Sequence, residues 1–176
     1  MSDGPTQDCV LPDIFVDQII RRTRDANTPQ PDPRVPTMTS QAVAKSSVVG
    51  GLADAAMTTL LPVRDIDRAR DYYTRVLGLM PEGARPDGKF VFRCANGALL
   101  ALFPKPEGTK AEHTAASFEV PDIGATIRAL KMRDVTFHDY DLPGFRTEGH
   151  VCVLGSEKAA WFSDTEGNIL CVHEDI

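Results

Sequence analysis

The chain has 176 residues, of which 42% are hydrophobic and 25% charged, a globular composition with room for one domain and an appendage. Its net charge of −6, with 19 lysines and arginines scattered rather than gathered, leaves no basic stripe for nucleic acid or an anionic membrane surface. No apolar run is long enough to span a bilayer, the first residues carry neither a basic nor an apolar signal region, and Cys9, Cys94, Cys152 and Cys171 never form C-x-x-C, so the expectation is a cytoplasmic protein with free thiols.

The N-terminal stretch "PDIFVDQIIRRTRD" offers Asp13 as an N-cap and sets Phe15, Val16, Ile19 and Ile20 on one face, which predicts one short amphipathic helix over about residues 13–25. The plainer role for that helix is packing on its own domain, and the sharper one is docking on a partner. From Asn27 to Pro36 the chain reads "NTPQPDPRVP", whose prolines remove backbone donors and hold an extended path, as in a linker. Residues 38–56 are small and weakly patterned. We therefore read 1–56 as an extension and 57–176 as the domain.

The domain states one plan twice. "LLPVRDIDRARDYYTRVLGL" is an apolar strand, then Asp65 as N-cap, then Ile66, Ala69, Tyr73 and Val76 on one face of a helix that stops at Gly78. "ASFEVPDIGATIRALKMRDVTF" repeats it with Asp122 as N-cap, Ile123, Ile127 and Leu130 on the apolar face, and a strand from Val135. Hairpins follow in both halves, one turning at Asn96 and Gly97, the other through Asp164 to Asn168 with Gly167 free to take positive φ. Each module, about 57–104 and 113–176, is thus β-α-β-β-β. Neither can bury its apolar sheet face alone, so the two are expected side by side with their helices outside.

The duplicated plan, with the strings "VRDIDRARDYYTRVLGL", "FEVPDI" and "DTEGNIL", resembles the vicinal oxygen chelate superfamily of glyoxalase, bleomycin-resistance and dioxygenase-like domains. The resemblance covers 57–176 and implies an α+β fold in which two βαβββ modules form a curved mixed sheet, a cup with helices on its outer face, often completed by dimerisation. It also implies a catalytic metal held by His or Glu on the first and last strand of each module. The matching positions here are Thr58, Ala101, Ala115 and Cys171. A divalent catalytic centre takes two or three His or carboxylate ligands, and an alanine has no donor atom, so no metal and no other cofactor is expected. A displaced set of His113, Cys171 and His173 is set aside, because its offsets run to opposite sides of the old ligand plane.

Counted at period two from those positions, the cup lining is Thr58, Leu60, Leu99, Ala101, Phe103, Ala115, Ser117, Glu119, Ile169 and Cys171, most of it apolar. Tyr140, Phe145, Glu148 and His150 lie on a long connection, 138–153, of the kind that supplies ligand contacts, and Trp161 is a further candidate contact. The expected function is to bind a small, largely apolar or aromatic molecule in the cup, with a homodimer possible and neither nucleic acid nor membrane as partner. The alternative is an enzyme, a lyase, isomerase or dioxygenase, working through acid–base groups such as Glu119, Glu148 or His150. "G-x-G-x-x-G" and "G-x-S-x-G" are both absent, so no nicotinamide fingerprint or nucleophile elbow competes.

Overall fold

A computed structural model describes Leu52 and residues 55–176; the helix expected over 13–25 and the proline-rich linker lie outside the described residues. In the first module β1 (Thr58–Val63), β2 (Met80–Ala84), β3 (Phe90–Arg93) and β4 (Leu99–Pro104) form one sheet in the order β1-β4-β3-β2. β1 and β4 run parallel, and β3 is antiparallel to both of its neighbours. Helix α1 (Ile66–Asp71) follows β1 and continues as a π turn over Tyr72–Val76. The side chain of Asp65 caps it by accepting from the Arg68 amide at 3.0 Å, and the helical path ends at Gly78, whose φ of +75° suits a residue without Cβ.

The second module repeats the sheet. β5 (Thr114–Glu119) leads into α2 (Ile123–Lys131), capped by Asp122 on the Ala125 amide at 2.7 Å. A small hairpin of β6 (Asp141–Leu142) and β7 (Phe145–Arg146) comes next, then β8 (Cys152–Leu154), β9 (Glu157–Ser163) and β10 (Ile169–Asp175). The sheet order is β5-β10-β9-β8, with β5 and β10 parallel. The fold is α+β, with two mixed four-stranded sheets. One expectation is corrected: no strand begins at Val135. Val135 and Phe137 are buried, but only a single bridge, Phe137 to Phe162, forms there, and β8 takes the edge position that β2 holds in the first sheet. The apolar alternation at Val135 and Phe137 serves core burial for one pair only, after which the chain leaves to cross the other sheet face.

The helix-side faces of both sheets share one core. Tyr73, Phe92, Leu100 and Leu102 from the first module meet Ile127, Phe162, Leu170 and Val172 from the second. Burying each large side chain contributes roughly 1.5–3 kcal/mol before the cost of ordering it.

A polar cluster from the β9–β10 turn joins the modules. Asp164, Glu166 and Asn168 are all buried. Glu166 reaches the start of α1, accepting from the amides of Arg64 at 2.8 Å and Asp65 at 3.3 Å, and its other oxygen takes Arg68 Nε at 2.8 Å. Asn168 Nδ2 donates to the Pro62 carbonyl at 3.0 Å, closing the link to β1.

Burial pushes the Glu166 carboxyl pKa up, but the Arg68 hydrogen bond, the two amides and the Arg68 charge together hold it below its ordinary 4.5. A depressed native pKa adds stability above the unfolded value and loses it as pH falls through the native one. Glu166→Gln is therefore expected to lower the melting temperature near neutral pH, and the gap to the parent protein should close as the pH is taken below 4.5. A gap that stays constant down to acid unfolding would show that the Glu166 charge carries no stability.

Candidate functional site

Alternation along the first sheet sends Leu100 and Leu102 into the core and Leu99 and Ala101 to the opposite, concave face. Ala101 sits between Leu60 on one side and Val91 on the other, while Leu99 sits between Thr58 and Arg93. These residues floor a cavity of about 370 Å³ lined by Thr58, Leu60, Arg85, Asp87, Lys89, Val91, Leu99 and Ala101. Ala101 and Val91 are buried at its base, and Leu60 is 52% exposed at its mouth.

The polar wall is the turn between β2 and β3. Pro86 presets φ, and Gly88 at φ +83° closes the turn, with the Gly88 amide donating to the Arg85 carbonyl at 3.0 Å and the Arg85 amide to the Lys89 carbonyl at 2.7 Å. Lys89 Nζ donates to Asp87 at 2.6 Å, and that hydrogen bond holds the Asp87 carboxyl pKa below its ordinary value. Arg85 donates to Glu82 at 2.9 Å, and Arg93 also bonds Glu82.

The concave face of the second sheet is covered by its own chain. Tyr140 and Phe145, brought over by the β6–β7 hairpin, pack with Cys152, Ala159, Trp161, Ile169 and Cys171 into a second apolar cluster. The Phe145 ring lies 5.3 Å from Trp161 and 5.2 Å from Tyr140 between centroids. Trp161 Nε1 donates to Thr114 Oγ1 at 3.1 Å, and burial pushes the Cys171 thiol pKa up to about 11.

The residues read from the sequence therefore divide. Thr58, Leu60, Leu99 and Ala101 come together at the cavity. Phe103, half-buried one strand pair further along beside Pro62, does not line it. Tyr140, Trp161 and Cys171 belong to the filled half, with Ile169. Ala115 sits where β5 takes an extra residue opposite the Ile169–Leu170 step, and this bulge packs it on the main core. Ser117 and Glu119 are exposed beside Cys171 and His173, and Ser117 Oγ is 2.7 Å from His173 Nδ1. His150 lies elsewhere, stacked on Phe137, with Nδ1 3.0 Å from Asp139 and Nε2 2.8 Å from Lys131 Nζ. An ammonium only donates, so Nε2 accepts and Nδ1 carries the proton.

Of the acid–base groups an enzyme would use, Glu119, Glu148 and His150, none lines the cavity. Sequence reasoning missed Arg85, Asp87, Lys89 and Val91, although "RPDGK" is a turn signal between two strands and the cations flank it.

The donor set does not fit the superfamily's metal. Thr58 offers a neutral hydroxyl, Ala101 and Ala115 offer methyl groups, and Cys171 holds its proton where a metal needs a thiolate. Among the described residues no three His, Cys, Asp or Glu side chains are grouped to hold a metal ion, and His113, Cys171 and His173 form no such group.

Comparison with protein families matches residues 55–172 to the Glyoxalase/Bleomycin resistance protein/Dioxygenase superfamily. The chain belongs to that superfamily. Among curated proteins, none matches it in sequence. Solved structures share the fold at low identity. TnmS3, an antibiotic binding protein from Streptomyces sp. CB03234, is 20% identical with a TM-score of 0.52 over 69% of this chain and 95% of its own. A superfamily member from Sphaerobacter thermophilus DSM 20745 is 22% identical with a TM-score of 0.54, covering 68% of this chain and 96% of its own. An integron cassette protein from the mobile metagenome of a Halifax Harbour sewage outfall is 17% identical with a TM-score of 0.54, covering 69% and 98%. Among the described residues of this superfamily member, no helix is long and apolar enough to cross a membrane.

Proposed function

We propose that the protein binds a small, largely apolar or aromatic molecule in the first-module half of its cup and holds it without a metal ion. The observation that carries this reading is the cavity of about 370 Å³ at Ala101, where a methyl group occupies a position at which metal-dependent relatives carry a ligand. The volume left by a long ligating side chain is bounded instead by Val91, Leu99 and Leu60. Concave, mostly apolar sites with a few placed polar groups are the usual form of small-molecule sites. The fold shared with an antibiotic binding protein supports the same class of function. A homodimer belongs to this reading, since a second copy would cover Met57 and Leu60, both exposed at the β1 end of the cavity.

Ala101→Trp tests it. The indole fills the hollow from its floor, so a planar aromatic compound that raises the melting temperature of the parent protein should lose at least about tenfold in affinity, while the variant still melts cooperatively. Trp161 and Cys171 stand in the filled half, so their fluorescence and labelling should stay unchanged when the compound binds. A compound that binds the Ala101→Trp protein as it binds the parent places the site elsewhere and ends the reading.

A further inference from the structure

Resting on the binding reading above, we infer that the guest is an apolar molecule bearing a carboxylate, its ring on the Val91–Ala101 floor and its charge at the Arg85–Lys89 turn. The whole chain is at −6, yet the wall of this cavity is cationic: Arg85 and Lys89 line it against Asp87 alone. The neighbouring Glu82 is already shared between Arg85 and Arg93. Of the charged groups that line the cavity itself, two are cations and one is a carboxylate.

The hydrogen-bond capacity points the same way. A guanidinium has five N–H donors and an ammonium three. Arg85 spends one nitrogen on Glu82 and Lys89 one proton on Asp87, so both retain donors for an incoming oxyanion. Both carboxylates are already charge-paired: Asp87 accepts from the Lys89 amide as well as its ammonium, and Glu82 accepts from two arginines. A cationic guest would meet the repulsion of Arg85 and Lys89, which outnumber Asp87 in the lining, whereas an anionic guest adds to their pairs.

Placement makes the cations usable. They hang from a short turn closed by two backbone hydrogen bonds, and each is held by a carboxylate, Arg85 by Glu82 and Lys89 by Asp87. Charge-assisted bonds to an oxyanion are the stronger kind of hydrogen bond. Sheet floor and charged turn together make an amphipathic seat, matched by an aryl or alkyl acid.

The test uses two isosteric probes, 2-naphthoate and 2-naphthamide, titrated into the full chain by their own fluorescence. The carboxylate should bind at least about tenfold more tightly than the amide. The preference should narrow in about 0.5 M NaCl and disappear in the double variant Arg85→Gln, Lys89→Gln, which should still melt cooperatively. Ala101→Trp should weaken both probes. Equal binding of the two probes by the parent protein, or a preference that survives the double variant, overturns the charge inference while the cavity reading stands. Failure of both probes to bind, or binding that Ala101→Trp leaves untouched, overturns the cavity reading and the charge inference together.

Discussion

Asp164→Ala is expected to lower the stability of the protein by about 3–5 kcal/mol, read as a fall in the urea midpoint at unchanged slope. Its carboxylate takes four hydrogen bonds: from the Tyr73 hydroxyl, the Glu166 amide, the Asn168 amide and Asn168 Nδ2, each at 2.8 Å. Tyr73, Glu166 and Asn168 are all buried, so water cannot replace the lost acceptor without opening the core. The damage also crosses between modules, because Tyr73 is on the turn that continues α1 whereas Asp164 begins the β9–β10 turn. Tyr73→Phe alone removes one donor and should cost only about 1 kcal/mol. Combined with Asp164→Ala it should cost less than the two effects added, since the orphaned hydroxyl is gone. An Asp164→Ala protein within about 1 kcal/mol of the parent would mean that the Asp164 carboxylate contributes little to joining the modules.

What could be read from the sequence follows from how local the governing chemistry is. Asp65 and Asp122 act as N-caps because a short acceptor meets an amide three residues on, a relation fixed within one turn. The Asn96–Gly97 turn was legible for the same reason, both residues sitting at positive φ. Strand alternation gave the concave face of β1 and β4, hence Thr58, Leu60, Leu99 and Ala101 at the cavity. "DTEGNIL" read as a turn and as part of the family resemblance. That its acidic groups grip a helix about a hundred residues away was not legible, because nothing in a local window states which helix start lacks partners.

The second module shows where period two fails. A one-residue bulge in β5 shifts Ala115 onto the main core, and no composition cue in "HTAASFE" marks it. The connection 138–153 has no sheet periodicity, so its aromatics could be named as contacts without saying what they touch. They turn out to touch the protein's own Trp161. The same limit hid Arg85 and Lys89: the turn was visible, but which face it overhangs depends on β2, whose register slips between Pro81 and Gly83.

Phe145→Ala should cost about 3–5 kcal/mol and expose the second half of the cup. Phe145 is 1% exposed and supplies the ring that seats against both Tyr140 and Trp161, so truncation leaves a void under a hairpin whose strands are only two residues long. So short a hairpin has little ladder of its own and depends on that anchor. Its loosening should uncover Cys171, now buried with a thiol pKa pushed up to about 11 by burial. Restored hydration lowers that pKa toward the ordinary thiol value and raises the reactive thiolate fraction. Labelling with a thiol reagent at mildly alkaline pH should therefore quicken in Phe145→Ala, read with Cys9, Cys94 and Cys152 all replaced by Ser so that Cys171 alone reports. Binding in the first-module cavity should be unaffected, since Phe145 does not line it. If Cys171 labels no faster while stability falls as expected, the second sheet face stays covered without its phenylalanine, and the filled half of the cup is a core in its own right rather than a site closed by one side chain.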